Sequence, residues 1–155
     1  MLYISYGSNM NLSQMDYRCP NSKVVCNGKL KGWRLVFNVH ADIIKTDDEN
    51  DFVPVVAWDI ANCDWKNLDM YEGYPSYYIK ETVNVILDNG KTEKAIVYVM
   101  ADNRKGFFRP TKSYFEGIEV GYIENGIDVK YLYDALSYSF SREAEYNQYK
   151  EREMI

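Results

Sequence analysis

Residues 77–101 read YYIKETVNVIL, DNG, K and TEKAIVYVMA in succession. Two runs rich in β-branched and aromatic residues flank Asp88-Asn89-Gly90. Asn-Gly between such runs is a strong hairpin signal, because both residues tolerate the positive φ that a tight turn demands. The spacing predicts strands over Tyr77–Leu87 and Thr92–Ala101. Just upstream, Val53–Ile60 reads as another strand, with Pro54 near its start where a missing N–H is tolerated. Asn62 is placed to cap a helix over Asp64–Tyr71, and Gly73 is a natural stop for it.

Further toward the N-terminus, Val24–Cys26 and Trp33–Val39 read as strands, with Gly28 and Gly32 as turn or bulge positions. The acidic run Lys45–Asp51 reads as a solvated loop and lacks the glycine and spacing of an EF-hand. Leu2–Tyr6 alternates like a short strand and runs into Gly7-Ser8-Asn9. Asn11 then caps a helix through about Arg18 that Pro20 ends. Downstream, Pro110 opens a helix over Thr111–Glu124 that Asn125-Gly126 closes. Gly117 and Gly121 on that helix each cost about 1 kcal/mol relative to Ala and so suggest close approach of another backbone. Asp128 caps a last amphipathic helix carrying Val129, Leu132, Leu136 and Phe140. The tail from Arg142 is charged and compatible with a helix, with little to hold it down.

This order of elements does not alternate as βαβ units do. It fits an α+β fold: a small, mixed, barrel-like β-sheet with helices packed outside, in one domain over residues 1–155. The 155 residues carry 46% hydrophobic and 26% charged residues, ordinary values for a folded globular chain. A net charge of -5 speaks against a nucleic-acid or anionic-membrane partner. Cys19, Cys26 and Cys63 form no CxxC pair, so the expectation is three thiols, two of them buried. No run approaches membrane-spanning length and no secretory h-region precedes the first strand, so the cytoplasm is the default. Fifteen tyrosines suit either a Tyr-rich core and surface or a pocket for a polar ligand.

No Walker, Rossmann, G-x-S-x-G or H-E-x-x-H pattern is present. The single histidine, His40, lies in a strand-like stretch and reads as structural or surface-exposed. Three segments remain. The loop Gly7-Ser8-Asn9-Met10, between a strand and a helix start, presents backbone N–H groups that can hold a carboxylate or an oxyanion, although such a turn is by itself usually only a turn. Glu72 ends a helix between Tyr71 and Tyr74. It reads either as an exposed last-turn carboxylate or as one whose pKa is raised by the helix C-terminus and by aromatic burial, which suits a general base near neutrality. Pro110-Thr111-Lys112-Ser113-Tyr114 opens the third segment.

Together the pieces resemble the gamma-glutamylcyclotransferase-like family, which includes the plant AIG2-like proteins. The resemblance rests on Tyr6-Gly7-Ser8-Asn9-Met10, on Leu68-Asp69-x-x-Glu72-Gly73, and on Pro110-x-x-x-Tyr114-x-x-x-Ile118-x-x-Gly121 with Gly126, over about residues 1–130. It implies a barrel-like fold with a pocket at one end. It also implies an enzyme that cyclises a gamma-glutamyl group to 5-oxoproline and frees the attached amine or amino acid, as a monomer or homodimer. By the match, Glu72 falls on the catalytic acid/base, the Tyr6–Met10 loop on the glutamyl-binding loop, and Tyr114 on a substrate-contacting tyrosine. No metal or cofactor is implied. The leaving-group wall is placed around Tyr74–Tyr78 and the 102–110 loop.

Overall fold

A computed structural model describes residues 1–104 and 108–153. Seven strands and four α-helices follow in the order β1 (Leu2–Ser5), α1 (Leu12–Arg18), β2 (Lys23–Lys31), β3 (Trp33–Asn38), β4 (His40–Lys45), β5 (Phe52–Asp59), α2 (Trp65–Glu72), β6 (Tyr78–Leu87), β7 (Thr92–Met100), α3 (Lys112–Glu124) and α4 (Lys130–Glu153). Short 3-10 turns occupy Ser8–Met10, Asn62–Asp64 and Asp102–Arg104.

Five strands close a barrel in the order β1-β5-β2-β6-β7, and β3 and β4 form a separate two-stranded ribbon. Every ladder is antiparallel except the closing one, where β1 runs parallel to β7 with Tyr3 opposite Ile96. β5 is buried from Val53 to Trp58 without alternation. A strand covered on both faces has no solvent side to keep polar. Outside, α4 lies along β3, where Ser139 Oγ accepts the Phe37 N–H at 2.9 Å, and Leu132 and Ala135 are buried.

The hairpin forms as its sequence predicts, Tyr78 pairing with Met100 and Gly90 turning at φ +85°. Asn11 caps α1, its Oδ1 accepting the Gln14 N–H at 3.1 Å, and Thr111 caps α3. Gly73 and Gly126 stop their helices in the left-handed region, at φ +66° and +68°.

Three local expectations need correction. Gly28 is neither turn nor bulge: β2 is continuous through it, and a Cβ there would lie 2.8 Å from the Ile86 carbonyl oxygen. Glycine at 28 therefore lets β6 lie against β2, while the bulge falls between Val24 and Cys26. Asn62 begins a 3-10 turn rather than capping α2; the buried Asp64 takes the N-cap position and turns its carboxylate to Asn21 N–H (2.9 Å) and Ser22 Oγ (2.7 Å). One cysteine is buried rather than two, because Cys26 is half-buried and Cys63 exposed. The charged tail from Arg142 continues α4 to Glu153.

The strand expected over Trp33–Val39 ends at Asn38, and the chain reverses in a single residue so that Asn38 faces His40 across the ribbon. Val39 takes φ +69°, and its N–H reaches the Phe108 carbonyl at 3.1 Å. A positive φ is a genuine outlier for a β-branched residue and persists only where its surroundings over-determine it.

Candidate active site

One end of the barrel opens into two joined chambers. The inner one, a cavity of about 30 Å³, lies among the rings of Tyr3, Tyr6, Tyr78, Tyr98 and Tyr114, the loop Gly7–Asn9, Ala41 and Glu72. The outer one, about 350 Å³, shares Ser8, Glu72, Tyr78 and Tyr114 and adds His40, Tyr71, Gly73 and Tyr77. Six elements meet here. β1 delivers Tyr3 and runs into Tyr6; α2 ends on Glu72; β6 and β7 supply Tyr78 and Tyr98; β4 supplies Ala41; the first turn of α3 supplies Tyr114.

Glu72 is half-buried as a residue, but its carboxylate faces the cavity. Asn9 Nδ2 donates to Glu72 Oε1 at 2.9 Å and to Tyr3 Oη at 3.0 Å. Arg18 Nη1 donates to Asn9 Oδ1 at 2.5 Å and to Ser8 Oγ at 3.3 Å, and its guanidinium stacks 3.4 Å above the Tyr71 ring. Burial pushes the Glu72 carboxyl up to about 7, with the nearby Arg18 charge and the Asn9 hydrogen bond pulling the other way. The carboxyl is therefore poised to take and return a proton near neutral pH.

Burial raises the phenol pKa of Tyr3, Tyr6, Tyr78 and Tyr114 as well, so these hydroxyls serve as hydrogen-bond groups rather than charges. Their partners differ. Tyr6 Oη donates to the Tyr98 carbonyl at 2.7 Å and Tyr78 Oη to the Ala41 carbonyl at 2.6 Å. Tyr114 Oη instead accepts the Ala41 N–H at 3.0 Å, which leaves its own O–H to donate.

The structure brings together the side chains expected from sequence with one exception. Met10 is fully buried in the core and its N–H is spent on the Gly7 carbonyl at 3.0 Å, so neither its side chain nor its N–H faces the cavity. The reason is the 3-10 turn at 8–10, whose third residue points inward against α3. Asn9 lines the cavity, but its amide is committed to Glu72, Tyr3 and Arg18. The aromatic enclosure of Glu72 also differs from expectation: Tyr71 and Tyr74 are largely exposed, and the rings around the carboxylate come from distant strands. Of the expected outer wall, Tyr77 and Tyr78 line the chamber; in the 102–110 loop, residues 105–107 lie outside the described residues.

Sequence reasoning missed Arg18, Tyr3, Tyr98 and His40. β7 is buried at every residue from Val97 to Met100, so alternation gave no signal for Tyr98. His40, expected to be structural or surface-exposed, lines the outer chamber with Nδ1 2.8 Å from Tyr77 Oη. Among the described residues no three His, Cys, Asp or Glu side chains converge as a metal-ligand set, and no helix is long and apolar enough to cross a membrane.

The family model described as "Gamma-glutamyl cyclotransferase, AIG2-like" matches residues 3–117, a span that carries the loop, Glu72 and Tyr114. The chain belongs to that family. Within the gamma-glutamyl cyclotransferase, AIG2-like family, human gamma-glutamylcyclotransferase is 27% identical over 141 residues, covering 84% of this chain and 74% of the human protein. A Methanocaldococcus jannaschii protein assigned provisionally to the gamma-glutamylcyclotransferases is 33% identical over 81 residues, covering 50% of this chain and 65% of its own length. A solved gamma-glutamyl cyclotransferase structure superposes with a TM-score of 0.75 at 24% identity, covering 87% of this chain and 85% of that one, which establishes the shared α+β barrel fold.

Proposed function

We propose that the protein is a gamma-glutamyl cyclotransferase: the alpha-amine of a bound gamma-glutamyl group attacks its own gamma-amide carbonyl, giving 5-oxoproline and a free amine or amino acid. The observation that carries this reading is Glu72, a carboxyl near its pKa at neutral pH that faces the cavity beside the Gly7–Asn9 loop. Glu72 takes a proton from the alpha-amine as the new C–N bond forms. It returns that proton to the leaving nitrogen as the old bond breaks with its electron pair. The first N–H groups of a 3-10 turn have no partner within it, so those at the start of the 8–10 turn, with the Tyr114 O–H, are suited to receive the charge that develops on the carbonyl oxygen. The aromatic walls of the cavity favour an intramolecular attack, because holding the glutamyl chain folded removes most of the entropic barrier.

No cofactor enters this scheme. A small gamma-glutamyl compound is the partner, handled by a monomer or homodimer in the cytoplasm, with the three unpaired thiols supporting that compartment.

Two measurements test the proposal. Purified protein incubated with a panel of gamma-glutamyl amino acids and gamma-glutamyl amines is expected to yield 5-oxoproline from at least one. Binding without product from any member would make the protein a small-molecule binder of the same fold. The pH profile is the second. Catalysis needs Glu72 ionised, so kcat/KM is expected to rise with unit slope as pH climbs through about 7 and to level off above it. A limb centred near 4.5 instead would show an ordinary exposed carboxylate and remove Glu72 from the role.

A further inference from the structure

His40 has no task in the cyclisation just outlined, yet it is among the most tightly located groups in the outer chamber. It follows directly on the positive-φ Val39, whose N–H is tied to Phe108, and precedes Ala41, whose carbonyl and N–H are held by Tyr78 and Tyr114. Its ring stands edge-on to Tyr114, with centroids 5.1 Å apart and planes at 82°, and edge-on to Tyr77 at 5.7 Å. Burial lowers its pKa, so the imidazole is neutral at pH 7. With Nδ1 engaged by the Tyr77 hydroxyl, Nε2 is left for the chamber.

A scissile gamma-amide entering this site brings one N–H on its leaving side. That N–H loses its water on binding and needs an acceptor. Ser8 Oγ is already engaged by Tyr71 and Arg18, and the Tyr77 hydroxyl by His40. We propose that His40 is a leaving-group residue in its Nδ1–H tautomer, Nδ1–H donating to the Tyr77 hydroxyl and Nε2 accepting the N–H of the scissile gamma-amide. This rests on the cyclisation proposed above.

The contact sets the geometry of departure. With its N–H turned to His40, the amide nitrogen is free to present the lone pair that forms on it to Glu72, which lines the same chamber. The alpha-amine forms its bond to the carbonyl carbon, the carbon–leaving nitrogen bond breaks, and that nitrogen keeps the electron pair. It takes from Glu72 the proton that the alpha-amine gave up. His40 gains and loses none, so it discriminates among leaving groups without being a second acid.

The test compares a gamma-glutamyl alkylamide with the matching gamma-glutamyl alkyl ester, in which an oxygen replaces the N–H. His40→Ala is expected to lower kcat/KM for the amide about tenfold, the loss of one hydrogen bond at the reacting group, and to leave the ester within about threefold of wild type. His40→Gln, which keeps an acceptor, is expected to recover part of the amide rate. Tyr77→Phe serves if His40→Ala does not fold; it keeps the imidazole, frees the tautomer, and should again depress the amide selectively. Equal losses on amide and ester, or no loss on either, would overturn the assignment of His40. Wild-type protein that makes no 5-oxoproline from either compound would take down the cyclisation itself, a separate and earlier failure.

Discussion

Glu72→Gln is expected to abolish turnover while making the protein more stable at alkaline pH. Glutamine keeps the Oε1 acceptor that Asn9 Nδ2 holds at 2.9 Å, so the local structure has no reason to change. It cannot take a proton from an amine. Removing a positioned acid/base costs about 10²–10⁴ in rate, and here one carboxyl serves both proton transfers, so the upper part of that range is expected. The stability change has the opposite sign. The folded carboxyl binds its proton more tightly than the unfolded one, at about 7 against an ordinary 4.5. Its contribution to folding is therefore full below about 4.5 and lost as pH rises through about 7. Glutamine carries no such penalty. Each decade of proton affinity is worth about 1.4 kcal/mol, and the residue's remaining exposure weakens this, leaving an expected gain of about 1–2 kcal/mol above pH 8. Thermal unfolding at pH 5 and pH 8.5 reads it: wild type should lose stability between the two relative to the variant. A variant within tenfold of wild-type kcat, or one less stable at pH 8.5, would contradict the role given to this carboxyl.

Gly121→Ala is the second large effect. A Cβ at 121 would lie 2.8 Å from the Asn11 backbone nitrogen, 2.9 Å from the Met10 carbonyl carbon and 3.0 Å from Met10 Cβ. Two of those three atoms are backbone, and the third belongs to a fully buried side chain, so none can move aside cheaply. Alanine gains about 1 kcal/mol of helix propensity, and overpacking costs more, giving a net loss of about 2 kcal/mol. The strain falls on the turn at 8–10, so substrate affinity is expected to drop along with the melting temperature. Gly117→Ala, one turn earlier on α3, is the control. Its Cβ would meet only Gln14 Nε2 at 3.2 Å, the free end of a flexible side chain, and the change should be neutral or stabilising. If the two variants behave alike, the backbone contact at 121 is not what fixes the loop.

The sequence made legible what depends on neighbours a few residues away. The hairpin at 88–90, the Asn11 and Thr111 caps, and the glycine stops at 73 and 126 are all set by turn and capping chemistry within one segment. The close approach at Gly121 was visible as a glycine that a helix should not want. What stayed hidden is convergence. Tyr78 falls within the expected wall, but nothing near Glu72 in the chain announces that Tyr3 and Tyr98 will join it, because they arrive from two other strands. Arg18 is an ordinary last-turn cation until α1 packs beside the loop. His40 was read as structural or surface-exposed because a one-residue reversal at Val39 has no sequence signature; β-branched residues are the least expected occupants of a positive φ. The sequence singles out the loop and Glu72, which the structure places on one cavity, but not Arg18, which holds Asn9 beside Glu72.

The closure of the barrel through β1 bears on how the molecule comes to exist. Leu2–Ser5 pairs with nothing nearby: its partners are Val56–Asp59 in β5 and Ala95–Ile96 in β7. The turn that follows it is then buttressed by α3, where Asn125 Nδ2 donates to the Met10 carbonyl at 2.8 Å. Loops this long are entropically expensive to close and make folding slow. During synthesis the first strand must wait for residues about ninety positions later, and the turn at 8–10 for a helix later still. The chain must therefore be made through Asn125 before Glu72 has its full cavity to face.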